Sequence, residues 1–173
     1  MVNILLGILG TLMSLVVIMA VWGALLPMDH VATRHADFPT PPDALWKSLV
    51  DVERAPGWRK DLQRVEVLPA QGNHRRFRET TRQGAITFAV EEETQPTRLV
   101  TRIADENLPF GGTWNYELAP QDGGTRVTIT ERGFVKNVIF RFLSHFFFSQ
   151  TSTMERYLRD LAAHHGVTVT PQP

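Results

Sequence analysis

The chain has 173 residues, 18 Lys and Arg against 18 Asp and Glu, 43% apolar residues and no Cys. Zero net charge supplies no field to steer a nucleic acid, so no nucleic-acid partner is expected. The apolar share excludes a disordered chain, and the lack of Cys excludes disulfides, thiolate catalysis and Cys-bound metals.

Charge is unevenly placed. Residues 1–28 contain no Lys, Arg, Asp, Glu or His. Within them, residues 4–26 form an unbroken apolar run with nothing more polar than Thr11, Ser14 and Trp22. A helix of that length spans roughly 30 Å, the thickness of bilayer hydrocarbon. Trp22 suits the membrane interface, and Pro27 ends the helix. A cleaved signal peptide would need a basic start, a shorter apolar core and small residues before the cut, and this run has none of them. The division expected is an anchor over 1–28, a globular domain over 29–168 and a tail over 169–173. Arg34 and Lys47 follow the anchor, which favours a single-pass protein with a cytoplasmic domain.

After the anchor, residues 31–38 alternate as a first strand. Thr40, two prolines and Asp43 predict a helix start with Thr40 as cap, and 44–50 carry helical spacing. Residues 51–58 predict a second short helix. The period then changes to two. Strands are expected over 62–68, 75–82, 85–93, 98–104, 113–118 and 126–132, joined by Gly- and Pro-containing turns, as in an antiparallel meander with one apolar face. Residues 137–165 predict one long helix with Ile139, Leu143, Phe146, Gln150, Met154, Tyr157 and Leu161 as its stripe and Gly166 as its stop. The fold class is α+β: a curved antiparallel sheet of about seven strands around a C-terminal helix.

Three stretches then carry a resemblance. They are Pro41–Trp46 through Asp51 with Pro56-Gly57-Trp58; Gly123–Ile129 with Glu131 and Gly133; and Phe140–Leu143 through Met154, Tyr157 and Leu158. They resemble the SRPBCC superfamily, also called START-like or helix-grip, and within it the polyketide cyclase/dehydrase and lipid-transport group. The resemblance covers about residues 30–166 and implies a cavity between sheet and helix for a lipid or other hydrophobic small molecule. It supplies no fixed catalytic residue.

The residues expected to line that cavity are Trp58, Phe77, Phe88, Trp114, Tyr116, Val127, Ile129, Phe142 and Phe146. Against this stands a solid core filled by the same rings, which would make the chain a non-catalytic membrane partner module. Strict alternation also turns Glu79, Glu92 and Glu131 inward. A desolvated carboxylate there would gain proton affinity and could act as acid or base, which makes Glu79 and Glu131 the catalytic candidates of a cyclase- or dehydratase-type alternative. A rim position with an Arg partner is the plainer account. The His residues show no metal-binding spacing, so no metal and no cofactor is expected; His164 and His165 suit the end of a helix, and His145 suits a rim. Residues 138–148 are apolar almost all round. Either the sheet and the loop at Leu108-Pro109-Phe110 cover both sides, or one side faces the membrane. No protein partner can be named.

Overall fold

The computed structural model describes residues 2–147 and 151–173. Among them, α1 spans Val2–Leu25, β1 Asp29–Phe38 and α2 Pro42–Val50. A 3₁₀ turn at Val52–Gly57 leads into β2 (Leu62–Gln71), β3 (His74–Thr81), β4 (Gly84–Thr94), β5 (Arg98–Ile103), β6 (Phe110–Gln121) and β7 (Gly124–Val135). Helices α3 (Val138–Phe147) and α4 (Ser152–His164) close the chain. All seven strands form one antiparallel sheet in the order β1-β7-β6-β5-β4-β3-β2. This is the expected helix-grip arrangement.

Helix α4 lies in the concave face of the sheet. Its Met154, Leu158 and Leu161 are fully buried with Phe38, Leu45, Val127 and Ile129. Two charged ties orient it. Arg34 of β1 donates to Glu155 Oε1 at 3.0 Å and to Thr151 Oγ1 at 3.1 Å. Buried Asp160 accepts from the Lys60 backbone at 3.1 Å. Gly166, at φ +69°, ends α4 as its position predicts.

Four sequence expectations change. The single helix over 137–165 is two helices in the described residues; Gln150, assigned to its stripe, lies outside them. They serve different partners, since α4 enters the sheet whereas α3 packs along α1. Thr40 does not cap α2. It is buried, its carbonyl accepts from Thr125 Oγ1 at 2.7 Å, and Pro41 occupies the cap position. The second short helix is a 3₁₀ turn with Pro56 inside it, where a longer α-helix would lose a backbone bond. Glu92 does not face inward: a bulge between Val90 and Glu92 breaks the alternation, and exposed Glu92 pairs with Arg98 at 3.3 Å.

Helix α1 contains Leu6–Leu25, with mean hydropathy 2.3, long and apolar enough to cross a membrane. Most of its side chains are uncovered by the rest of the chain. Its end is not loose. Gly23 is buried against α3, and any Cβ there would collide with the Val138 carbonyl. Arg141 of α3 donates to the Gly23 and Leu26 carbonyls at 3.3 and 3.1 Å, and to the Val135 carbonyl at 2.9 Å. The Val135 backbone N–H donates to the Met28 carbonyl at 2.9 Å.

Candidate functional site: a cavity between sheet and helices

Strands β3 to β7 curve away from the helices and leave a cavity of about 420 Å³. That is enough for a small organic ligand. Phe77 and Phe88, paired across β3 and β4, stack at 5.5 Å and form one wall. Ile86, Ile103, Trp114 and Tyr116 continue it. From α3, Phe140 and Ser144 close the opposite side, with Phe140 stacked on Phe110 at 5.7 Å.

Glycines make part of this space. Gly112 pairs with Gly133 across β6 and β7, and its φ of +144° is open only to a residue without Cβ. The missing side chain at Gly111 lets the Phe134 ring lie close against the strand, and the one at Gly133 admits the His30 ring. His30 then meets Glu131 at 3.2 Å on the cavity wall.

A polar cluster sits elsewhere on the same lining. The Arg59 backbone N–H closes the 3₁₀ turn on Ala55 at 2.8 Å, which points its side chain inward. The guanidinium donates to Glu79 Oε1 at 2.6 Å and to Asp61 Oδ2 at 2.9 Å. Arg59 and Glu79 side chains are each only 12% exposed. The same guanidinium lies 5.1 Å over the Tyr157 ring, and Tyr157 shares a hydrogen bond with Tyr116. Burial pushes the Glu79 carboxyl above its ordinary range, with Arg59 pulling the other way. Burial likewise raises both tyrosine hydroxyls, so both are neutral donors at neutral pH. A space of about 30 Å³ behind Phe77 and Tyr116 shares Arg59 and Glu79 with the cavity and has room for water only.

The sequence-derived lining residues divide in three. Phe77, Phe88, Trp114 and Tyr116 line the cavity together, as do Glu79 and Glu131. Val127 and Ile129 do not: both are 0% exposed in the sealed core beneath α4, because β7 faces that helix there. Trp58 stands one layer back, edge-on to Tyr157 at 5.4 Å and stacked on His164 at 5.7 Å. Phe142 and Phe146 pack on each other at 4.8 Å instead of lining the cavity, since α3 presents Phe140 and Ser144 to it. Among the His residues singled out, His165 contacts Ser48 at 3.0 Å and His145 is exposed beside Phe146.

Sequence reasoning missed Arg59, Asp61, His30, Phe110, Phe134 and Phe140. Arg59 was hidden among 15 arginines with no pattern to mark it. His30 and Phe134 enter only because glycines stand opposite them. Phe110 was assigned to a covering loop, yet it begins β6 and stacks on the α3 residue that bounds the cavity.

A curved sheet gripping α4 and holding an apolar cavity with one charged cluster defines a helix-grip domain. The chain belongs to the family described as polyketide cyclase / dehydrase and lipid transport, matched over residues 29–166. Comparison with curated proteins finds no match. Among solved structures, a START superfamily protein from Mycobacterium smegmatis is similar, with a TM-score of 0.61 at 15% identity, covering 78% of this chain and 96% of that one. The ZhuI aromatase/cyclase from Streptomyces sp. R1128 gives 0.59 at 13% identity, covering 80% and 92%. The di-domain aromatase/cyclase StfQ of the steffimycin biosynthetic pathway gives 0.58 at 15% identity, covering 81% of this chain but 52% of that one. These likenesses establish the fold.

Proposed function

We propose that this protein is a membrane-anchored binder, and carrier or sensor, of a hydrophobic small molecule or lipid. The observation that carries the reading is the cavity itself. Its walls are mostly aromatic and aliphatic, while Arg59, Asp61, Glu79 and Tyr116 offer polar contacts on one part of the lining. An apolar body gains from leaving water, roughly 25 cal/mol per Å² buried before binding costs. A polar end would be oriented by the neutral Tyr116 hydroxyl and the Arg59 cluster. Helix α1 supports the anchor, and basic residues after it favour a cytoplasmic domain. The family match supports the ligand class.

The test is to purify the full chain gently from its membrane and analyse it by native mass spectrometry and solvent extraction. A stoichiometric apolar molecule is the expected result. An empty chain that also fails to bind a dansyl-labelled undecanoic acid would sink the reading.

A second reading is a cyclase- or dehydratase-type enzyme. It is favoured by Glu79, a carboxyl whose proton affinity is raised by burial, standing on the same lining as Tyr116. Glu131, paired with His30, is a further acid on the lining. An enzyme of this kind would lose turnover in Glu79→Gln or Glu131→Gln while still binding its ligand; equal loss of both would indicate a packing role.

A further inference from the structure

Helix α3 is apolar nearly throughout, yet the sheet does not enclose it. It packs instead along the last turns of α1. The contact is tight, because Gly23 lets the Val138 backbone approach. Gly23 lies within the membrane-length stretch Leu6–Leu25. A helix packed there shares the depth of that stretch's end, which is the boundary between hydrocarbon and headgroups.

The composition of α3 fits that depth. It contains no Asp, Glu or Lys. Its one Arg is turned inward, where Arg141 donates to the Gly23, Leu26 and Val135 carbonyls. This satisfies carbonyls at the end of α1, which water would satisfy elsewhere. The Ser144 hydroxyl is also turned back, donating to the Arg141 carbonyl at 3.0 Å. The outward surface is mostly apolar, with His145 as its exposed polar side chain: Phe146 is 52% exposed, and Trp22 and Met28 are exposed on the adjoining chain. A membrane-interface helix has this character, an apolar side with aromatic residues at headgroup level. On the other side, Phe140 and Ser144 bound the cavity.

We propose that α3 lies in the membrane interface and is the bilayer-facing wall of the cavity, so that a ligand dissolved in the bilayer reaches the cavity past α3 without crossing water. The partner of this surface is the lipid bilayer. The inference rests on α1 spanning the membrane.

The chain has no Cys, so single labels report unambiguously. Full-length chains carrying Leu15→Cys, Phe146→Cys or Gln121→Cys would each be labelled with a nitrobenzoxadiazole dye and reconstituted into phosphatidylcholine vesicles containing brominated lipid. Gln121 ends β6, at the far end of the strand from Phe110 and α3. The expected result is that labels at 15 and 146 lose most of their fluorescence to bromine while the label at 121 loses none. Quenching at 15 without quenching at 146 overturns the inference and leaves the anchor standing. Absence of quenching at 15 overturns the anchor and the inference with it. His145→Cys, also exposed on α3, adds a second site in case a label at 146 disturbs the helix; quenching at 15 alone, with neither 145 nor 146 quenched, again overturns the inference.

Discussion

Arg59 and Glu79 meet at 2.6 Å, two opposite charges that the chain brings together from the 3₁₀ turn and from β3, almost out of water. Such a pair is expensive to break from one side, because the charge left behind has lost its hydration. Arg59→Met strands both Glu79 and Asp61. It is expected to cost about 3–5 kcal/mol, read from urea unfolding of the full chain in micelles by circular dichroism. Adding Glu79→Leu should recover much of the loss. A single variant as stable as the parent would mean that the pair is already solvated.

Filling the cavity should separate binding from stability. Ile86 is partly exposed to the cavity and has room beside it. Ile86→Trp is expected to weaken binding of dansyl-undecanoic acid about tenfold, some 1.4 kcal/mol, with little change in melting temperature. Fluorescence titration in nanodiscs measures the first, and a thermal melt the second.

The sealed core should behave in the opposite way. Ile129 is fully buried under α4 and touches no cavity space. Ile129→Ala is expected to cost about 2–5 kcal/mol of stability while leaving probe affinity unchanged at temperatures where the variant is folded. Loss of affinity equal to that of Trp114→Ala would show that the core and the site are one structure.

Acid should act through Glu155. Its hydrogen bond from Arg34 holds the carboxyl below the ordinary value of 4.5. Unfolding frees the carboxyl, so the unfolded chain takes up a proton that the folded chain resists. The contribution is therefore complete above pH 4.5 and is lost as pH falls below it. Glu155→Gln removes this dependence. Its melting temperature is expected to fall less than the parent's between about pH 6 and pH 3.5, as measured by calorimetry.

The strands were legible in the sequence because alternation and turn glycines state them directly. Gly72, Gly84 and Gly123 all take positive φ at the hairpin turns. The aromatic wall was legible for the same reason, since Phe77, Phe88, Trp114 and Tyr116 fall on one side by counting. Glu92 shows the limit of counting: one bulge reverses every residue near it. The split of the last helix was not legible. Residues 138–146 and 154–161 share a compatible stripe, and only their partners, α1 for one and the sheet for the other, tell them apart. Arg59 had no signal to set it apart, because its importance lies largely in Glu79 and Tyr157, which come from two distant places in the chain, and only Asp61 is its sequence neighbour.

Only Leu26, Pro27 and Met28 separate α1 from β1, and two of these three residues are themselves bonded, through Arg141 and Val135. A domain on a slack leash tumbles and presents every face to its surroundings. Where α1 spans a membrane, as proposed above, this one is bolted to its mast like a weathervane, free to turn about the membrane normal and little else. Encounters with other molecules of that membrane would then be confined to a plane and meet the same rim of the sheet, so that orientation would be settled before the search begins.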